Sequence, residues 1–501
     1  MSKFSVKVKW GKELYPDVVV DTDEEPLLFK AQLFALTGVA PERQKVMCKG
    51  VTLKNEWNVK LTNGMTILMM GSKEEVPAMP VEKTKFIEDM NESELAVALK
   101  LPAGLTNLGN TCYVNATVQC LKSVPELSDA LKAFKDEMTS DLDSAKSITS
   151  AMRSVFNQMD ADNTVTPIIL LQTLHMAFPQ FAQTGDNGVY RQQDANECWI
   201  ELLKMLQQKL PPIKKDNAQS SKFQSFVEQY MSGSFEIEMK CDEAPEEPSN
   251  MSQENFLQLT CFISPEVKYM HSGLRLRMQE QLTKKSPTLG RDADYQKTAM
   301  INRLPAYLTV NFMRFQYKGN KGINAKVLKD IKFPIDFDAF DLCTTALKEK
   351  LNPMRSRFKE VEDAALEGQM KEKDKKEAVK EDDDSNSTPV PFSFEDDVGS
   401  NNSGYYTLKA VLTHQGRSSS SGHYVAWVRQ SKDSWMKFDD DVVTPITSED
   451  VLRLSGGGDW HCAYVLIYGP RVLRIPKNKA VASEGSGVSA GAPEPMITEE
   501  R

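Results

Sequence analysis

The chain is poor in the residues that would make several function classes easy to assign. It has only five histidines in 501 residues, and none of its eight cysteines stands in a C-x-x-C pair. A four-thiolate zinc site therefore has no local support. The cysteines are scattered, which does not suggest a disulfide framework. No apolar run approaches the ~18 residues of a membrane span, and Met1-Ser2-Lys3 opens no signal-like apolar stretch. A soluble, intracellular protein is expected. A basic excess is also missing. The net charge is −9, so no electrostatic footprint for nucleic acid is present. Residues 351–400 hold 8 Lys/Arg against 14 Asp/Glu, so most of that charge belongs to one stretch.

What is present divides into parts. Phe4, Val6, Val8 and Trp10 alternate with polar residues and predict a strand, followed by a valine-rich strand from Leu14 to Thr22. Phe29, Leu33 and Leu36 predict a helix capped at Gly38. Lys45 to Leu53 predicts a strand pair broken at Gly50. Asn63-Gly64 marks a turn before Met65, Ile67 and Met69. This order resembles ubiquitin, but Met70-Gly71 runs on into Ser72 where ubiquitin ends in a free Gly-Gly. Residues 1–75 are thus expected to be a ubiquitin-like docking domain. Residues 76–100 are expected to be a linker, with Asn91 and Glu94 placed as a capping box. Residues 101–470 read as one large mixed domain. It carries a short polar insertion at Pro211–Phe223 and a charged, partly helical or disordered one at about 352–391. A disordered tail is expected at 471–501.

The chemistry concentrates around two segments. In the first, glycines and asparagines lead from Gly104 to Cys112, and an apolar helical pattern follows through Val118 and Leu121. Cys112 then sits at a helix N-terminus, where unpaired N–H groups favour a thiolate. Asn107, five residues earlier, offers an amide to an oxyanion. A capped, buried cysteine fits the same pattern. In the second, His423 opens a strand to Arg429, and Trp435–Phe438 returns to Asp439. A hairpin centred on residue 431 sets His423 directly opposite Asp439, on one face. Asp439 would then accept the Nδ1 proton and aim the other ring nitrogen at Cys112. His175 lies in an apolar helical pattern and His271 in a polar turn, while His414 and His461 suit the walls of a cleft.

Gly104-Leu-Thr-Asn-Leu-Gly-Asn-Thr-Cys112-Tyr resembles the cysteine box of the ubiquitin-specific proteases, papain-like deubiquitinating enzymes. Ser421-Gly422-His423-Tyr424-Val425 with Trp435 to Asp440 resembles their histidine box, and Gln192-Gln193-Asp194 a further one. With the N-terminal module, the whole chain resembles the proteasome-associated members of that family.

The resemblance implies an α+β fold: a ubiquitin-like β-grasp domain, then fingers, palm and thumb. It implies Cys112 as nucleophile, His423 as base, Asp439 as third residue with Asp440 the nearest wrong choice, and Asn107 in the oxyanion hole. Gln193, Asp194, Gly422 and Tyr424 would bind substrate. Many members carry two C-x-x-C pairs for a finger zinc; here Cys241 and Cys261 stand alone, so no metal or cofactor is expected. The glycine-flanked serines Ser418, Ser419, Ser420 and Ser421 suggest a regulatory loop over the cleft, able to accept phosphate. The partners implied are ubiquitin conjugates and the proteasome regulatory particle, met by a free monomer in the cytoplasm and with nuclear proteasomes. A non-catalytic ubiquitin-binding adaptor and a general papain-like protease are the competing readings.

Overall fold

The computed structural model describes residues 3–54, 56–72, 101–135, 143–185, 188–214, 221–318, 323–372, 387–418, 421–458 and 460–476. The whole of the expected 76–100 linker, with its Asn91 and Glu94, lies outside them. The chain forms two compact units, Met1–Asp89 and Met90–Arg501.

The first unit is a five-stranded sheet in the order β2-β1-β5-β3-β4 with one helix. Its strands are β1 (Lys3–Trp10), β2 (Glu13–Asp21), β3 (Lys45–Cys48), β4 (Val51–Thr52) and β5 (Thr66–Met70), and its helix is α1 (Pro26–Thr37). Val6 and Val8 of β1 are fully buried, as the alternation requires. β1 and β5 pair in parallel at the centre, the β-grasp arrangement. Gly38 takes φ 73° and donates its N–H to Phe34 O, ending α1 as its position predicts. The buried face of α1 is Phe29, Leu33 and Thr37, however, and Leu36 is exposed. Four residues from Leu33 keep Thr37 on the inward stripe; three carry Leu36 to its edge.

The second unit packs helices against a long sheet. β6 (Gly104–Leu105) leads to α2 (Cys112–Lys122), then come α3 (Pro125–Ala133), α4 (Ser144–Ala161), β7 (Thr164–Val165), α5 (Ile168–Ala177), α6 (Ala195–Lys209) and α7 (Phe226–Met231). Their apolar faces bury Tyr113, Val118, Phe156, Trp199 and Phe226 in one core. A four-stranded sheet follows, built from β8 (Gly233–Cys241), β9 (Asn250–Phe256), β11 (Gln279–Lys285) and β12 (Asp292–Arg303). β10 (Leu259–Cys261) joins the main sheet, and α8 (Met270–Met278) packs near it. The main sheet runs β10-β13-β22-β18-β19-β20-β21, with β14 (Phe315–Lys318), β15 (Ile323–Lys326) and β16 (Asp336–Asp338) at its side. Its further members are β13 (Leu308–Phe312), β18 (Tyr405–Ser418), β19 (Ser421–Arg429), β20 (Ser434–Asp439), β21 (Val442–Thr447) and β22 (Cys462–Pro470). Helices, small sheet and large sheet correspond to thumb, fingers and palm.

Two expectations change. The charged insertion begins as a continuation of α9 (Thr345–Glu372), and its far end forms β17 (Ser387–Pro389). β17 pairs with β23 (Arg474–Pro476), so strand structure enters the stretch 471–501 assigned to a disordered tail. Backbone pairing needs no apolar alternation, and Leu473 is buried beside it. Of the serines assigned to a loop, Ser418 ends β18 and Ser421 opens β19, and the two pair with each other. Ser419 and Ser420 lie outside the described residues.

Candidate active site

Cys112 is the first residue of α2 and is 2% exposed. The preceding loop turns through Gly109 (φ 100°) and Asn110 (φ 53°). Asn107 Oδ1 accepts from Gly109 N–H at 2.9 Å, and Asn110 Nδ2 donates to Tyr190 O at 2.8 Å. At the start of this segment, Gly104 meets the turn after β20. A Cβ on Gly104 would lie 2.4 Å from Asp441 O, so only glycine permits the approach. Leu105 N–H donates to Asp440 O across the same contact. Segments more than 330 residues apart in sequence are thereby locked together.

Two N–H donors reach the Cys112 sulfur. Gln192 Nε2 lies 3.2 Å from Sγ and Tyr424 backbone N–H 3.5 Å. Such donors, at a helix N-terminus, complement the anionic form of a sulfur. Cys112 also lies close enough to His423 to favour the protonated imidazole. His423 Nε2 lies 2.6 Å from Asp439 Oδ1, which leaves Nδ1 for the sulfur. The expected ring orientation is therefore reversed: Asp439 holds Nε2. The Asp439 hydrogen bond, then Cys112, raise His423 to about 10, against a smaller opposing effect of burial. Lys437 Nζ holds the other Asp439 oxygen at 2.7 Å. His423 first, and Lys437 with it, keep the Asp439 carboxyl well below the usual carboxylate range.

The register that brings His423 to Asp439 differs from the expected one. β19 and β20 pair Arg429 with Trp435, Val428 with Met436 and Ala426 with Phe438. Extending that ladder sets Asp439 across from Val425, so His423 is its diagonal neighbour. An offset of two residues keeps both side chains on one face, within reach of a long ring.

Three other histidines lie where the protonated form is disfavoured. Burial, then the Lys326 cation, push His414 down to about 3; its Nε2 lies 3.1 Å from Ser421 O. Burial, then Lys437, push His461 down to about 4, and its Nδ1 lies 3.2 Å from Thr413 Oγ1. His175 packs at 4.4 Å and a tilt of 57° against Tyr190, and burial lowers it.

The remaining expected residues are placed as follows. Asn107 Nδ2 donates to Asp440 Oδ2 at 2.8 Å, and Asn115, one turn beyond Cys112, donates to Asp440 Oδ1 at 2.8 Å. One Asn107 amide proton is thus committed to Asp440, and one remains. Asp194 caps α6, accepting from Asn196 and Glu197 N–H, and both its oxygens accept from the Tyr464 hydroxyl at 2.9 and 2.8 Å. Burial raises Asp194 above the usual range despite those donors. Gln193, Asp194, Ser421, Gly422 and Phe315 line a cleft of about 1140 Å³. Tyr424 contributes its backbone to the sulfur and buries its ring.

Gln192, Asn115, Lys437 and Tyr464 went unassigned in the sequence. The available signals are the Gln192-Gln193-Asp194 box and the helical spacing from Cys112 to Asn115. Among the described residues, His423, Asp439 and Asp440 are the set close enough to hold a metal ion; the Asp439 oxygens are committed to His423 and Lys437, and those of Asp440 to the two asparagines. Cys241 and Cys261 belong to separate packed clusters.

A cysteine, an elevated histidine and an ionised aspartate in line suit nucleophilic attack on an acyl carbon. The ubiquitin carboxyl-terminal hydrolase family matches residues 103–468. The chain belongs to that family. This ubiquitin carboxyl-terminal hydrolase is 41% identical over 511 residues to ubiquitin carboxyl-terminal hydrolase 14 of Caenorhabditis elegans, covering 99% of each chain. It is 39% identical to hydrolase 7 of Arabidopsis thaliana (94% of this chain, all of that one) and 38% to hydrolase 6 of Schizosaccharomyces pombe (92% and 98%). Its fold is similar to a chain of the SAGA Ubp8/Sgf11/Sus1/Sgf73 DUB module bound to ubiquitin aldehyde. That match has a TM-score of 0.51 and 22% identity, covering 74% of this chain and 69% of that one. The hydrolase is a thiol-dependent deubiquitinating enzyme of mixed α and β structure. No described helix is long and apolar enough to cross a membrane.

Proposed function

We propose that this hydrolase cleaves the bond after ubiquitin's C-terminal glycine on proteasome-bound conjugates, with Cys112, His423 and Asp439 as its catalytic residues. The observation that carries the reading is the alignment of Cys112 Sγ, His423 and Asp439, with two further donors on the sulfur. The Cys112 thiolate attacks the glycine carbonyl carbon. The α2 N-terminus and the second Asn107 amide proton receive the oxyanion. Protonated His423 gives its Nδ1 proton to the leaving lysine amine. It then takes a proton from the water that hydrolyses the thioester. Ubiquitin's thin Gly-Gly tail suits a cleft that has Gly422 and the sulfur's partner Gln192 in its lining.

The N-terminal β-grasp unit would dock the enzyme on the proteasome regulatory particle, in the cytoplasm and wherever else proteasomes operate. Weak activity of the free enzyme fits the burial of Cys112 and the β18–β19 end at the cleft wall. A ubiquitin C-terminal electrophile is expected to label the wild type and not Cys112→Ala. Absence of labelling even with proteasomes would favour the adaptor reading. Equal hydrolysis of a ubiquitin–fluorophore conjugate with and without proteasomes would remove the activation step.

A further inference from the structure

The outer face of α1 is apolar where a solvated helix should be polar. Its buried stripe is Phe29, Leu33 and Thr37. The opposite stripe carries Leu27, Leu28, Ala31, Phe34 and Ala35, all exposed, with Leu27 61%, Leu28 53% and Phe34 48% open. Single exposed leucines are ordinary, but a contiguous stripe at helical spacing marks a contact surface.

Charge adds a second, independent observation. The N-terminal end of this face opens into a groove of about 760 Å³. Its floor is Pro26, Leu27 and Trp57, and its rim is Asp23, Glu24, Glu25 and Glu56 with Lys30 and Lys54. Trp57 donates its indole N–H to Glu24 O and packs 6.1 Å from Phe29, so the wall is formed in advance. Among the described residues, none of the four rim carboxylates is ion-paired.

We propose that this face docks an amphipathic helix whose apolar stripe is flanked by lysine or arginine. The apolar stripe fits Leu27, Leu28 and Phe34, and the flanking cations fit the acidic rim. The site is separate from the exposed Val51, Leu68 and Met70 on the sheet side of the same unit. It would let the unit hold two partners at once, and it does not depend on the hydrolase reading.

The test uses the full chain and a fluorescent Leu/Ala/Lys amphipathic helix of about 18 residues. Controls are a sequence-scrambled peptide and a Glu-flanked version. Anisotropy should show salt-sensitive binding of the Lys-flanked helix alone. Leu27→Ser with Phe34→Ser should weaken it about tenfold or more. Glu24→Lys with Glu25→Lys should remove most of its salt dependence, and Leu68→Ser should leave it unchanged. All these positions are exposed, and circular dichroism would verify their folding. Basal ubiquitin–fluorophore hydrolysis should not move in any variant. Equal binding of the scrambled or Glu-flanked peptide, or loss only in Leu68→Ser, would overturn the proposal. A dimer in sedimentation equilibrium, broken by Leu27→Ser, would overturn it in favour of a second copy.

Discussion

Replacing Asp439 with asparagine tests the central electrostatic claim. The carboxylate lies 2.6 Å from His423 Nε2 and is the largest of the causes that raise His423 from 6.5 to about 10. That elevation corresponds to about 4.8 kcal/mol favouring the imidazolium, at ~1.36 kcal/mol per pH unit. Both side chains are about one-third open to solvent (34% and 33%), so screening reduces its worth; about half is a reasonable upper figure. Cys112 supplies a further share. Asp439→Asn should therefore cost about 1–2 kcal/mol in the charged pair, or roughly 5- to 30-fold in kcat/KM at neutral pH. The sign follows from which form is favoured. A raised histidine is charged below its folded value, so the wild type keeps its imidazolium until the pH nears 10. In the variant the alkaline limb should move down toward the ordinary histidine range. The assay is the rate of Cys112 alkylation by iodoacetamide from pH 6 to 10, beside hydrolysis of a ubiquitin–fluorophore conjugate. An unmoved alkaline limb in Asp439→Asn would refute the reasoning, even if kcat/KM fell.

Three further outcomes are expected. Gly422→Ala places a Cβ 2.2 Å from Gln415 O and 2.6 Å from His414 Nε2 at φ 124°, so it should destabilise the β18–β19 end by about 2 kcal/mol or more; an unchanged Tm would contradict this. Lys437→Met frees one Asp439 oxygen and should lower kcat/KM about 3- to 10-fold, less than Asp439→Asn; a larger loss would make Lys437 the main support. Tyr464→Phe removes the hydroxyl that meets both Asp194 oxygens and should cost about 1–3 kcal/mol in urea unfolding. Asp194 is already raised, and a raised carboxyl favours folding most when protonated. The deficit should therefore be larger at pH 7 than at pH 5; the opposite trend would show that Asp194 does not carry it.

The fold was legible where side-chain period and turn chemistry coincide. Val6 and Val8 alternate into the core of the first unit, and Gly38 ends α1 with a left-handed residue. Cys112 was legible because glycine and asparagine shape the loop that delivers it to α2. The bonds from Asn107 and Asn115 to Asp440 were not, because they join β20's turn to the Cys112 loop and helix more than 300 residues away. Nothing local in a sequence says that an amide will spend its proton on a distant carboxylate. Gln192 illustrates the same limit. It stands beside Gln193, with identical chemistry, yet only the fold decides which of the two reaches the sulfur.

The hairpin shows why a wrong register still led to the right pair. Turn composition placed its centre at residue 431, whereas the ladder pairs Arg429 with Trp435 and centres on 432. Moving the centre by one residue moves every partner by two, and side chains alternate with a period of two. His423 and Asp439 thus remain on one face and exchange an opposed position for a diagonal one. A centre displaced by half a residue would have put them on opposite faces. The diagonal relation also accounts for the ring orientation. Beyond Ala426 and Phe438 the two strands no longer pair, so Asp439 meets the far nitrogen, Nε2, which leaves Nδ1 for Cys112. The same separation leaves Asp439 room for Lys437 on its second oxygen, which keeps the aspartate ionised while His423 carries its charge.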